Sequence, residues 1–207
     1  MSEEWDVAIA KQQRWAQFAT LAIYAFIVSS AIFILLSLAI MALGIEGSED
    51  LLELYGIAAI VVSAVFFLLS VPTVGAWIYR AQANLQLATE YRLDISPGWA
   101  VGWFFVPFAN LVKPYEAMKQ LWSNTAGSAD PDAGSPLGRW WGCFLVGGIT
   151  ENIGARMLDS IELVQTGLVI TAAGSCLRAA AAWFLLEIIR KVTSSQSASA
   201  GIAETFA

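Results

Sequence analysis

The sequence predicts an all-α integral membrane protein, with four transmembrane helices plus a re-entrant or interfacial helical segment between spans 2 and 3. Three observations carry this. Residues 18–43 hold no charged side chain, and neither do residues 54–79. A helix rises ~1.5 Å per residue and a bilayer core is ~30 Å thick, so either run is long enough to cross. The composition is 57% hydrophobic and 14% charged, with mean hydropathy +0.63, as expected of a chain whose exterior faces lipid. Finally, the basic residues segregate to one side once the spans are placed.

At 207 residues there is room for one transmembrane domain and little else. Residues 1–16 form an N-terminus with acidic residues and no cleavage site, so span 1 (about 17–44) is expected to stay as an anchor. An acidic loop with Glu46, Glu49, Asp50 and Glu53 leads into span 2 (about 54–79), where Pro72 and Gly75 predict a kink and after which the helix should run on into water. Residues 97–122 are apolar but interrupted by Pro97, Pro107 and Pro114. From Pro107 onward Phe108, Leu111, Val112, Tyr115, Met118 and Leu121 follow helical spacing, opposite Asn110, Lys113, Glu116 and Lys119, which predicts an interfacial helix with its apolar face buried. Residues 123–138 read as a flexible linker. Span 3 (about 140–157) contains Glu151 and Asn152, span 4 (about 163–189) contains Arg178, and 193–207 reads as a disordered tail.

Whether 98–112 crosses the bilayer decides the topology. If it dips in and returns, Lys11, Arg14, Arg80, Arg92, Lys113, Lys119, Arg139, Arg190 and Lys191 lie inside, nine against Arg156 alone outside, with Arg178 in the membrane. A crossing would give five and five. The positive-inside rule selects the first arrangement, with both termini cytoplasmic, Ser48 outside and Ser128 and Thr205 inside.

The chemistry is mostly excluded. No histidine occurs, which removes zinc–His, haem–His and Ser–His arrangements, and no cofactor, metal or catalytic site is expected. Net charge −6 gives no nucleic-acid footprint. Cys143 and Cys176 differ in depth by ~15 Å, too far for a disulfide, and are expected to be packed thiols. Glycine pairs such as Gly147 and Gly148 lack phosphate-loop spacing and suit close helix approach.

Two features point to sites. Glu151 is 11 residues from Trp140 and Arg178 is 12 from Arg190, so both lie ~17 Å deep, where an unpaired charge costs at least ~3 kcal/mol. They are expected to pair, as a clamp or as a solute contact. All nine tryptophans fall in or beside the cytoplasmic half. Either they form an aromatic belt, or Trp99, Trp103, Trp140 and Trp141 with Arg80, Lys113, Lys119 and Arg139 line a groove for an anionic lipid headgroup or a partner's juxtamembrane segment.

The strings WIYRAQANLQ (77–86) and SPGWAVGWFFVPFANLVKPYEAMKQLW (96–122), with the Trp140–Trp141 pair that opens the next span, resemble the bacterial membrane family known as domain of unknown function 4328. The resemblance covers about 21–192 and implies a multi-span protein of the bacterial inner membrane, with no activity attached. The expected role is non-catalytic, through membrane lipids, a protein partner or a second copy at the cytoplasmic face. The alternative is a small-solute transporter or channel subunit using Glu151 and Arg178.

Overall fold

The computed structural model describes residues 2–43, 49–88, 93–125, 135–160 and 162–205; Arg92, Ser48 and Ser128 lie outside them. Every element there is helical. Four are long or of medium length: α1 (Ser2–Leu43), α2 (Glu49–Ala88), α5 (Leu137–Met157) and α6 (Val164–Thr205). Two are short, α3 (Pro97–Gly102) and α4 (Lys113–Thr125), separated by 3₁₀ turns at Trp103–Phe105 and Ala109–Leu111. Two helices are long and apolar enough to cross a membrane, over Glu4–Ala42 and Val164–Ala198. Neither α1 nor α6 contains proline, and Ala, the best helix former, is the commonest residue of both.

The chain divides into two compact units. One comprises 1–22, 70–138 and 184–207; the other comprises 23–69 and 139–183.

In the first unit apolar and amide side chains are buried together. Trp77, Ile78, Ala81, Ala117, Met118, Leu121, Ile188 and Val192 are inaccessible, and so are Gln12, Gln82, Asn84 and Gln196. Each amide makes at least one hydrogen bond, while Gln12 Nε2 and Gln196 Oε1 are buried with no partner among the described residues. Asn84 Nδ2 donates to Gln12 Oε1 at 2.8 Å, Gln196 Nε2 to the Ala81 carbonyl at 3.0 Å, and Gln82 Nε2 to the Ala117 carbonyl at 2.8 Å. Thus α2 continues through 81–85 into this core and not into water, and only its last residues, 86–88, are exposed. The tail is also corrected: 193–205 is helix, held where Trp77 Nε1 donates to Thr193 Oγ1 at 3.1 Å and Gln13 Nε2 to Ser197 Oγ at 3.0 Å. It contains no proline, and small Ala and Ser residues give up little side-chain entropy on ordering.

No continuous helix starts at Pro107. Pro107 removes a donor and disfavours helical geometry at the residue before it. Val106 is accordingly extended (φ −92°, ψ 115°), Phe108 has φ 62°, and regular helix resumes only at Lys113. Ser96, extended before Pro97, opens α3 in the same way. On α4 the buried face is Pro114, Ala117, Met118, Leu121 and Trp122. Phe108 is 87% exposed and Leu111 50%, so these two residues are not part of the packed face. The linker is shorter than expected, since α4 reaches Thr125 and α5 begins at Leu137.

The second unit has the opposite character. Its interior holds Ser30, Ser37, Tyr55, Ser175 and glycine contacts, with Ile40, Tyr55 and Leu168 forming one small cluster. Its surface carries Val28, Ile32, Leu35, Leu38, Ile57, Val61, Leu68, Ile149 and Ile153. Phe26 meets Phe66, and Phe33 meets Tyr55, edge to face at 5.7 Å in each case. Ser37 Oγ is bonded to the Phe33 carbonyl at 2.8 Å and to the Tyr55 hydroxyl at 3.3 Å.

Candidate functional site

Within the second unit α5 and α6 touch backbone to backbone. A Cβ placed on Gly154 would stand 2.6 Å from the Thr171 nitrogen and 2.9 Å from the Gly167 carbonyl oxygen; one on Gly167 would stand 3.0 Å from the Gly154 oxygen. Gly147 and Gly174 make the matching pair, at 3.1 and 3.0 Å from each other's carbonyls. On each helix the two glycines are seven residues apart, two turns, so they share one face. Gly148, by contrast, faces open space.

This contact places the ion pair. A Cβ on Gly174 would stand 2.7 Å from Glu151 Cγ, and one on Gly147 would stand 2.8 Å from Arg178 Cγ, so the stem of each charged side chain lies in the gap left by a glycine on the other helix. Arg178 Nη1 donates to Glu151 Oε2 at 3.0 Å, and Ser175 Oγ donates to Glu151 Oε1 at 2.8 Å. The guanidinium also lies 5.6 Å from the Phe26 ring centroid, a cation–π contact. Both carboxylate oxygens and the charge are therefore partnered. The side chains of Arg178 and Glu151 remain 36% and 25% exposed. Asn152 points outward, its Nδ2 donating to the Gly148 carbonyl at 3.1 Å, and Cys176 is exposed where a packed thiol was expected; the two cysteines are free.

The first unit contains a cleft of about 280 Å³, lined by 93–96 with Trp99, Trp103 and Lys113. Trp99 and Trp103 are four residues apart, so α3 and the 3₁₀ turn that follows put both rings on one side, 4.6 Å apart and inclined by 31°. α3 is held where Ala100 is buried and where Gly75 of α2 leaves room for Val101, 3.3 Å from a Cβ placed there. The wall at Ile95 is clamped twice by one amide: its nitrogen donates to Gln120 Oε1 at 3.0 Å, and Gln120 Nε2 donates to its carbonyl at 3.0 Å. Gln120 Nε2 also lies 3.3 Å from Gln82 Oε1, linking the clamp to α2. Lys113 pairs with Glu116 at 2.6 Å, both about two-fifths exposed.

Of the eight residues expected to line one groove, the cleft brings together Trp99, Trp103 and Lys113. Arg80 lies 5.9 Å from the ring of its neighbour Tyr79, and Lys119 is half-buried on α4. Arg139, Trp140 and Trp141 belong to the other unit, where Trp140 and Trp141 are buried against each other at 5.0 Å and Trp141 stacks on Phe144 at 5.3 Å. Asp94 and the Gln82–Gln120 clamp were not singled out from sequence. The clamp's only signal was amides on the inward spacing of α2 and α4. Among the described residues no cluster of Cys, Asp or Glu is suited to hold a metal ion.

These features define an all-helical protein with two helices able to cross a membrane, a glycine-packed ion pair and a tryptophan-lined cleft. The chain belongs to the family described as domain of unknown function 4328 (DUF4328), whose model matches residues 37–194. No curated protein matches the chain, and no solved structure does.

Proposed function

We infer that this is a four-span protein of the bacterial inner membrane that acts without catalysis, through lipid or protein contacts at its cytoplasmic face. The helical stretches of the second unit, 23–43, 49–69, 139–157 and 164–183, are each about 20 residues long, which at ~1.5 Å per residue matches a ~30 Å hydrocarbon core. Small and polar residues inside with large apolar residues outside is the packing that lipid permits, since lipid gives no hydrophobic drive for burying leucine. The first unit carries eight of the eleven Lys and Arg, all but Arg139, Arg156 and Arg178, in keeping with a cytoplasmic position. In this reading 97–122 lies at the interface.

The observation that carries the functional reading is the Trp99–Trp103–Lys113 cleft. Two indoles with a cation beside them suit a headgroup at the membrane surface. The test is lipid analysis of the protein extracted from native membrane: stoichiometric retained phospholipid, reduced in Trp99→Ala and Trp103→Ala, supports the reading. Retention unaffected by both substitutions refutes it. The partial exposure of Glu151 and Arg178 favours a second reading, a transporter or channel subunit, and solute flux in proteoliposomes that is abolished by Glu151→Gln would establish that instead.

A further inference from the structure

We propose that the cleft receives a zwitterionic phospholipid headgroup, an ammonium joined to a phosphodiester, as in phosphatidylethanolamine. This rests on the interfacial reading of the first unit and goes beyond it by naming the ligand. The cleft presents three kinds of group together: the Asp94 carboxylate, the Lys113 ammonium and the paired Trp99 and Trp103 rings. Asp94 is exposed and forms no ion pair among the described residues. A carboxylate and indole rings lining one cleft suit a cation, because the charge and the ring quadrupole both attract an ammonium group. Lys113 supplies the complementary charge for phosphate, and its bond to Glu116 is an exposed i,i+3 pair that costs little to exchange.

Asp94 also acts against the competitors. An anionic headgroup with no amine, such as phosphatidylglycerol, would satisfy Lys113 but bring its own negative charge to the Asp94 carboxylate with no ammonium to offset it. Size agrees, since about 280 Å³ lies just below the ~300–1,000 Å³ typical of drug-sized ligands and suits a headgroup alone. The acyl chains have a place as well. Between Trp103 and Lys113 the chain exposes Phe105, Phe108, Leu111 and Val112, an apolar tip suited to the acyl region of the same leaflet. The Gln120 clamp fixes the wall at Ile95 before any ligand arrives, which limits the ordering cost of binding.

The test offers the full-length protein in detergent equal amounts of phosphatidylethanolamine and phosphatidylglycerol and counts retained lipid by native mass spectrometry. Wild type is expected to retain phosphatidylethanolamine over phosphatidylglycerol by about fivefold, the scale of one cation–π contact with one exposed charge pair. Asp94→Asn should bring the ratio close to one, and Lys113→Gln should lower retention of both lipids. Thermal transitions of the variants matching wild type would show that the fold is kept, and Phe105→Ser, which weakens both lipids equally, gives a second readout should Asp94→Asn misfold. Equal retention or a preference for phosphatidylglycerol in wild type overturns the zwitterion while leaving the lipid-contact reading in place; retention of neither lipid overturns both. Displacement by soluble glycerophosphoethanolamine at the same concentration would overturn a lipid as the source of the headgroup.

Discussion

Gly154→Ala probes the α5–α6 contact most directly. The added Cβ would stand 2.6 Å from the Thr171 nitrogen and 2.9 Å from the Gly167 oxygen, and would also meet Thr171 Oγ1. Two of these three are backbone atoms, so no rotamer change relieves them. Ordinary contact begins near 3.4 Å, and the helices must part by several tenths of an ångström, which also loosens Gly147 against Gly174 and the stems of Glu151 and Arg178. Overpacking of this kind costs ~1–3 kcal/mol, and the better helix propensity of alanine returns ~1. Because backbone atoms cannot swing away, the cost belongs at the upper end of that range and the expected net loss is about 2 kcal/mol. Gly148→Ala, on the same helix but facing open space, should gain up to ~1 kcal/mol by the same propensity term. Reversible unfolding in mixed micelles measures both. If Gly154→Ala proved as stable as Gly148→Ala, the helices would not touch as described.

Three further outcomes follow from the same geometry. Glu151→Gln and Arg178→Gln should each lose about 2 kcal/mol, less than the ~3–5 of a fully buried pair because the side chains are partly exposed, and the double variant should lose less than their sum; strict additivity in the same unfolding assay would refute the pair. Leu121→Asp should unfold the α4 packing, whereas Leu111→Asp should leave the thermal transition in detergent unchanged while lowering lipid retention, because Leu121 is fully buried and Leu111 half exposed. In a variant with Cys143 and Cys176 replaced by Ser, an impermeant thiol reagent applied to intact cells should label Glu162→Cys but not Asn124→Cys; labelling at 124 would refute the four-span topology.

How far the sequence reached depends on which force placed each element. Helix existence was legible because uncharged runs such as 18–43 admit little else. Residue counting alone puts Glu151 and Arg178 at one depth, and in the structure they stand 3.0 Å apart. The glycine register was only half legible: Gly147 makes a contact and Gly148 does not, a difference set by which helix face meets α6. The 107–112 segment misled because helical spacing of apolar residues continues across Pro107, whereas backbone sterics there outrank side-chain pattern; Pro114 is accommodated in the first turn of α4. Trp140 and Trp141 were read as anchors or groove walls from residue type, yet they pack against each other and Phe144, which no single-helix pattern reveals.

The largest misreading, the tail, follows from assigning one solvent to the whole chain. Hydropathy marks where a helix leaves lipid, and beyond that point Gln82, Asn84, Gln120 and Gln196 read as surface. In the first unit they are interior or half-buried, because a hydrogen bond offsets much of the cost of burying an amide, although Gln196 Oε1 is left without a partner among the described residues. The bonds are shared between helices far apart in sequence: Asn84 with Gln12, Gln196 with the backbone at Ala81, Trp77 with Thr193. None of these partners is visible from local pattern, and each bond fixes a register that apolar packing alone leaves free to slide. The same amides explain the precision of the cleft. Gln120 grips both polar groups of Ile95 and is itself linked through Gln82 to α2, so the wall bearing Asp94 is set by the core behind it and not by the exposed loop in which it lies. Polar burial in one unit and glycine contact in the other thus perform the same task, holding a charged group at a defined position with atoms that hydropathy does not register.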